Sequence, residues 1–214
     1  MYIDLKHIIK KFNLEIDGII HVGGCKGEEL FSYMKNNIRN VILIEANPEL
    51  ISILKIKKFI FHYIFRMNLS VESFAAYYED NLELDLNITN NLQSSSILKL
   101  SKHSELYPDI KVDKKIKVKT STINKLFDKK YEIKNYNFLN LDIQGAELDA
   151  LKGADQILDK IDAIYTEINF DELYQGCAQA EQIDKYLKEF KFQRVLTETP
   201  DHPSWGDALY LKEK

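Results

Sequence analysis

Two carboxylates and a histidine lie where predicted strands end, at places from which they could move a proton. Asp142 follows the apolar run in YNFLNLD, Glu167 lies near the end of IDAIYTEINF, and His202 lies in the loop between the last two predicted strands. Such groups act as general bases when they are within hydrogen-bond reach of a hydroxyl. We predict that these three residues are catalytic, with Asp142 as the base or as the group that positions the acceptor.

Each of these residues also has a purely structural interpretation. Asp142 could cap the helix that follows it, Glu147 is better explained as stabilising the first turn of that helix, and His202, beside two prolines, could be a surface side chain. The five histidines are scattered, and no cluster of histidine, cysteine and aspartate has the spacing of metal ligands. We therefore predict no metal site.

A glycine-rich turn in IIHVGGCKGEEL, residues 19–30, predicts a bound ligand. Glycines let the backbone turn tightly and bring its amides close to a ligand. Glu45 leaves the next apolar run about 20 residues later, where a carboxylate can accept both ribose hydroxyls of a nucleoside. The pattern predicts an adenosine-containing cofactor. The residues assigned to its site are His21, Gly23, Gly24, Gly27, Glu45, Asn47, Asn68, Ser95 and Asp142.

Two cofactors fit this pattern. A nicotinamide dinucleotide normally needs the fuller G-x-G-x-x-G turn for its pyrophosphate and a second domain to bring substrate, and the sequence shows neither. S-adenosyl-L-methionine has no phosphates and fits a looser glycine turn in a one-domain chain. The residues favour S-adenosylmethionine.

The elements that position these residues alternate between strands and helices. KHIIKKF predicts a leading helix within residues 1–17, and GIIHVG and NVILIEANP are continuous apolar strands with helices after them, typical of a parallel sheet covered on both faces. FIFHYIFRMN is interpreted as a third strand, and SFAAYYED and LELDLNIT as a hairpin. Two last strands form a terminal antiparallel hairpin. We predict one α/β domain over residues 1–214, its core spanning 18–214.

Composition limits the partners. The 214 residues carry a formal charge of −4 with acidic and basic residues interspersed, so no basic surface for nucleic acid is expected. The two cysteines and the absence of a signal-peptide core or apolar span favour a cytoplasmic protein that is not attached to a membrane. The expected partner is a small-molecule or glycan acceptor; the oligomeric state is left open.

The chain resembles the FkbM-type methyltransferases, and the resemblance covers it from about residue 18 to its end. The matching segments are IIHVGGCKGEE, VILIEANPEL, QSSSIL, FLNLDIQGAELDALKGA, YTEINFDELYQGC and WGDALYL. The resemblance implies a Rossmann-like class I fold, with a seven-stranded, mostly parallel sheet whose last strand is reversed. It also implies that Gly23 and Gly27 line the cofactor and that Glu45 holds its ribose.

The resemblance implies an S-adenosylmethionine-dependent O-methyltransferase that acts on a hydroxyl of a carbohydrate or similar polyol. The chain departs from the family's usual D-V-G-A-N/H-x-G turn, since His21 stands at the acidic position and Gly24 and Cys25 follow. That position helps to hold the cofactor's charged methionine end, a role that Asp142 would have to take. The alternatives are a catalytically inactive binding module with the same fold and an NAD-binding enzyme.

Overall fold

The structure, a computed structural model, describes residues 4–213. Its helices are α1 (Leu5–Phe12), α2 (Leu30–Lys35), α3 (Pro48–Phe65), α4 (His103–Leu106), α5 (Asn124–Lys129), α6 (Glu147–Lys152) and α7 (Ala180–Glu189). Its strands are β1 (Gly18–Val22), β2 (Asn40–Glu45), β3 (Asn68–Ser73), β4 (Ala75–Ala76), β5 (Glu83–Thr89), β6 (Val112–Ser121), β7 (Phe138–Leu141), β8 (Ala163–Asn169), β9 (Phe192–Glu198) and β10 (Trp205–Lys212).

Seven strands form the main sheet, in the order β3-β2-β1-β7-β8-β10-β9. The first five are parallel, whereas β10 runs antiparallel to both β8 and β9. The predicted α/β architecture, with its reversed last strand, is confirmed. The carboxyl ends of β1, β2, β7 and β8 therefore meet at one edge, where ligands bind in sheets of this kind.

Helices cover both faces of the sheet, which explains why the central strands are apolar without alternation. Successive strand residues point to opposite faces, so Ile19 packs on one face and Ile20 on the other. The first face carries buried residues of α1, α2 and α3, and the second carries those of α5, α6 and α7. Within residues 4–213, no helix is long and apolar enough to cross a membrane.

The interpretation of residues 59–68 as the third strand is wrong. Asn47 caps α3 by accepting from the Glu49 amide, and Pro48 occupies the first turn, where its missing N–H costs nothing. The apolar run that follows contains no helix breaker, so α3 continues until Arg66 adopts a left-handed conformation. The strand begins only at Asn68, two residues later.

The predicted hairpin between residues 73–80 and 82–89 is also wrong. Strands β4 and β5 each pair with β6 instead, β4 in parallel and β5 antiparallel. The small sheet β4-β6-β5 packs Ala75, Leu86 and Val118 against Ala46, just beyond the end of β2. It thereby forms a wall above the edge of the main sheet where the glycine turn lies.

Candidate active site

The glycine turn brings the ends of β1 and β7 together. Gly23 has a φ of +90°, and a β-carbon at this position would overlap the main-chain oxygen of Asp142. The Asp142 amide in turn donates to the Val22 oxygen at 3.0 Å. Only glycine fits here, and its presence places the Asp142 main chain directly against the turn.

Glu45, at the end of β2, closes the same turn from the other side. One carboxylate oxygen accepts from the Cys25 amide and the other from the Asn47 amide, each at 2.7 Å. The side chain is only 8% exposed. Burial raises the pKa of Glu45 to about 7, although the amide hydrogen bonds oppose the shift.

A first cleft opens between this turn and the small sheet. Its polar end contains Glu45 and Asp142, and its walls include the apolar side chains of Leu50, Phe74 and Leu86. Of the residues predicted to bind a cofactor, five line this cleft: Gly23, Glu45, Asn47, Ser95 and Asp142.

A second cleft lies beyond the carboxyl ends of β7 and β8 and beside the start of β10. Acids, a histidine and aromatic residues dominate its lining: Glu29, Asp142, Glu167, Asp201, Asp207, His103, Tyr107, Tyr174 and Trp205. No lysine or arginine is among the lining residues that the structure describes. Three residues line both clefts, namely Glu29, Gln93 and Asp142. The clefts therefore meet at these three residues, two of which, Glu29 and Asp142, are acidic.

Gln144, which sequence reasoning did not single out, connects the acids at this junction. Its Nε2 donates to Asp142 at 2.9 Å and to Glu167 at 2.7 Å. The Tyr174 hydroxyl donates to its Oε1 at 2.6 Å, which fixes the orientation of the amide. Gln144 has a φ of +58°, unusual for a residue other than glycine. The side chain thus holds two carboxyl groups and a phenol in one arrangement.

The carboxyl groups at the junction differ in environment. Glu147 accepts from the amides of Ile143 and Gly145, at 3.0 and 3.1 Å, and so stabilises the loop before α6 rather than the first turn of that helix. Burial, together with the charges of Glu147, Asp142 and Asp207, raises the pKa of Glu167 well above its usual range. This environment favours the protonated form of Glu167.

Five predicted site residues lie outside both clefts, and three of these have hydrogen-bond partners away from the site. Asn68 is exposed at the start of β3, at the opposite edge of the sheet, because α3 is longer than predicted; its amide donates to Asn40. His21 is buried within β1, where its Nδ1 pairs with the Tyr33 hydroxyl at 3.1 Å. His202 Nδ1 accepts from the Ser204 amide within its own loop. We remove these three residues from the candidate site.

The other two residues outside the clefts, Gly24 and Gly27, belong to the glycine turn. Gly24 and Gly27 continue the turn behind the first cleft, where the Gly24 amide donates to Ile44 and the Gly27 amide to Gly24.

Among residues 4–213, no group of three or more histidine, cysteine, aspartate or glutamate side chains is placed to hold a metal ion.

A histidine does lie in the second cleft, but it is His103 of α4. The ring is 5% exposed, and its Nδ1 has no hydrogen-bond partner among the described residues. Burial lowers its pKa, so the ring is neutral at neutral pH. It stacks at tilted angles on Tyr107 and Tyr174. Nothing in the sequence marks His103, because its neighbours in the cleft come from distant segments.

Most of this chain matches a known protein family. A model of the methyltransferase FkbM domain matches residues 21–194. A search of curated proteins finds no match.

Solved methyltransferase structures share the fold. An S-adenosylmethionine-dependent methyltransferase from Clostridium acetobutylicum ATCC 824 aligns with a TM-score of 0.55 and 9% identity, over 98% of this chain and 89% of that one. Magnesium protoporphyrin IX methyltransferase (ChlM) from Synechocystis PCC 6803, solved with bound SAM, aligns with a TM-score of 0.54 and 9% identity, over 97% and 76%. A putative tRNA (m1A22) methyltransferase from Streptococcus pneumoniae gives 0.53 and 10%, over 100% and 72%. These low identities establish the fold alone.

Proposed function

This chain belongs to the methyltransferase FkbM family, and from that premise we propose that it transfers a methyl group from S-adenosylmethionine to a hydroxyl of a carbohydrate or similar polyol. One observation carries the proposal: the cleft that holds Glu45 and the second cleft share two acidic residues, Glu29 and Asp142, and Asp142 is the one that lies at the end of a central strand of the sheet. A methyl donor in the first cleft and an acceptor in the second would have their reacting atoms at this junction.

The residues of the first cleft fit the cofactor. Each Glu45 oxygen accepts one amide hydrogen, and a carboxylate has about four acceptor sites, so capacity for two ribose hydroxyls remains. The apolar wall suits an adenine ring. Asp142 and Glu29, at the junction, provide negative charge for the cationic methionine end, in place of the acidic residue that His21 replaces.

When bound, S-adenosylmethionine supplies an electrophilic methyl group, and methyl transfer to an alcohol mainly needs alignment and removal of the hydroxyl proton. Asp142 is placed to accept that proton as the oxygen–methyl bond forms. Gln144 keeps the Asp142 carboxylate oriented through its 2.9 Å hydrogen bond. Glu167 lines the second cleft beside Asp142, and its raised pKa favours hydrogen bonding to the acceptor over removal of the proton.

The lining of the second cleft limits which classes of acceptor could bind there. Among the residues that the structure describes, five acids and no lysine or arginine line it, and three aromatic rings provide flat apolar surfaces. A phosphorylated acceptor would meet like charges with no cation to pair with. We therefore expect a neutral or amine-bearing polyol, whose faces stack on the rings.

An acceptor screen tests the proposal. The purified chain is incubated with S-adenosylmethionine and with neutral sugars, amino sugars and sugar phosphates, and release of S-adenosylhomocysteine is measured. We expect turnover with a neutral or amino sugar, and rates at least about tenfold lower for the phosphorylated form of the same sugar. Binding of S-adenosylhomocysteine with no turnover on any hydroxyl compound would instead support the inactive binding module. Binding of NAD alone would support the nicotinamide alternative.

The pKa of Glu45 predicts a pH dependence of cofactor binding. The ionised carboxylate accepts the ribose hydroxyls, and its pKa of about 7 means that the charged form is lost as the pH falls through 7. We expect the affinity for S-adenosylhomocysteine to be highest above pH 7 and to fall by up to about tenfold for each unit below it. Calorimetric titrations across this range measure the effect.

The matched control is Glu45→Gln, which cannot ionise. Its residual affinity should change much less between pH 6 and pH 8, roughly twofold or less. The other titrating acids, Glu147 and Glu167, are present in both proteins, so a profile as steep in the variant as in the native chain would assign the pH dependence to them.

A further inference from the structure

Helix α3 exposes an apolar surface that the fold leaves uncovered. Its inward side buries Leu50, Ile51, Leu54 and Phe61 against the sheet. Its outward side carries six large apolar residues that are between 37% and 67% exposed: Ile53, Ile56, Phe59, Ile60, Tyr63 and Ile64. A helix that is apolar on all sides is normally buried, and single exposed apolar residues are common whereas contiguous patches are not.

These residues form one continuous face, called here the α3 outer face. Ile53, Ile56 and Ile60 are spaced by three and four positions, so they lie along one side of a helix with 3.6 residues per turn. Phe59 and Tyr63 extend the same side, and their rings contact at a centroid distance of 4.6 Å. The face is therefore a ridge of aliphatic and aromatic groups about three turns long.

Basic residues border this face on one side. Lys55, Lys58 and Arg66 are exposed, and residues 50–66 contain no acidic residue. The one carboxylate of α3, Glu49, pairs with Lys114 at 2.6 Å. The border is thus positive in a chain whose formal charge is −4. A partner that covers the ridge must tolerate or supply negative charge.

We propose that the α3 outer face docks the protein on an anionic lipid membrane, with the helix lying in the plane of the interface. Interfacial helices combine a ridge of aromatic and aliphatic residues with lysine and arginine beside it, and their binding adds apolar burial to attraction for anionic lipids. A second copy of the chain fits less well. Its same face would bring further basic residues and no carboxylate to neutralise them. The inference departs from the sequence-based prediction that no membrane is a partner.

Docking through this face leaves the site accessible. The α3 residues that line the first cleft are at its N-terminal end, including Leu50, and no residue of the α3 outer face lines either cleft. Binding of S-adenosylhomocysteine can therefore be measured in the same variants as a readout of the folded site, independent of lipid binding.

Vesicle co-sedimentation of the full chain tests the proposal. The probes are vesicles of phosphatidylcholine alone and vesicles of equal parts of phosphatidylcholine and phosphatidylglycerol. We expect binding to the anionic vesicles at least about tenfold stronger than to the neutral ones, and a loss of that preference at high salt.

Three variants separate the contribution of apolar burial to vesicle binding from that of the basic residues. Ile56→Ser combined with Tyr63→Ser removes two of the most exposed apolar groups, and since serine and isoleucine have similar helix propensities, α3 should persist. This variant should lose most vesicle binding. Lys55→Gln combined with Lys58→Gln should lose only the preference for anionic lipid. Val195→Ser, which removes a 37% exposed apolar residue from β9, is the matched control and should bind as the native chain does.

The outcomes decide between the occupants. Loss of vesicle binding in the α3 variants, with S-adenosylhomocysteine binding unchanged, supports the proposal. Equal sedimentation of the native chain and the Ile56→Ser, Tyr63→Ser variant, or no sedimentation of either, overturns it. The proposal is also overturned if light scattering shows a dimer of the native chain and a monomer of that variant, since a second copy would then cover the face.

Discussion

Replacing Glu45 with alanine should weaken S-adenosylhomocysteine binding by about 100-fold or more. The carboxylate is 8% exposed and has two amide partners, so it is already ordered before the ligand arrives. Hydrogen bonds to a charged group contribute about 1.5–3 kcal/mol each, and the loss of two corresponds to about 3 kcal/mol or more. Calorimetric titration of the native and variant chains gives the ratio of dissociation constants.

The control for this measurement is Glu49→Ala, the same change four residues away. Glu49 is exposed and pairs with Lys114 at the surface, so its loss should change binding by less than about threefold. Glu45→Ala also leaves the amides of Cys25 and Asn47 without their acceptor and can loosen the turn. Glu45→Gln preserves the volume and should still weaken binding by at least about tenfold. Native-like affinity in the folded Gln variant would show that Glu45 holds the turn and not the ribose.

The sequence predicted the main sheet because the central strands are covered on both faces. Continuous apolar runs such as those of β1, β2 and β8 then have a single interpretation, and the glycine turn and Glu45 follow from the strand ends. The structure explains the glycine at position 23, since a residue with a β-carbon would overlap the main-chain oxygen of Asp142.

The errors arise where an apolar run fits more than one element. The run FIFHYIF is compatible with a buried strand and with a buried helix. In the structure it continues the helix that begins at Pro48, and Phe61 is buried against the sheet. Asn68 was misplaced as a result. The strands β4 and β5 were mispaired because their common partner, β6, lies more than 20 residues beyond β5 in the chain.

The junction of the clefts could be predicted only in part. Asp142 and Glu167 follow from strand ends, but Gln144 becomes central through Tyr174, thirty residues away, which orients its amide. His103 comes from the irregular middle segment, where no periodicity places a side chain in space. The unusual positive φ of Gln144, just before Gly145, is a property that its sequence neighbourhood does not encode by itself.

The largest effect on turnover is expected from Asp142→Asn. Asparagine keeps the size of the side chain but cannot accept the hydroxyl proton, and general-base catalysis contributes about a hundred- to ten-thousandfold to the rate. We expect the turnover number to fall within this range with the best acceptor from the screen, measured as S-adenosylhomocysteine release. Glu29 still provides negative charge for the methionine end of the cofactor and the new amide still faces Gln144, so the affinity for S-adenosylhomocysteine should fall by less than about tenfold.

Asp149→Asn is the matched control, because Asp149 lies in the first turn of α6, outside both clefts, with Lys152 as its surface partner. Its turnover should equal that of the native chain. His103→Gln tests the other group that could accept the proton, because its neutral ring lines the second cleft, where we propose that the acceptor binds. A greater loss of turnover in His103→Gln than in Asp142→Asn would transfer the role of base to the histidine. Equal losses of affinity and turnover in Asp142→Asn would show that Asp142 binds the cofactor and takes no part in proton removal.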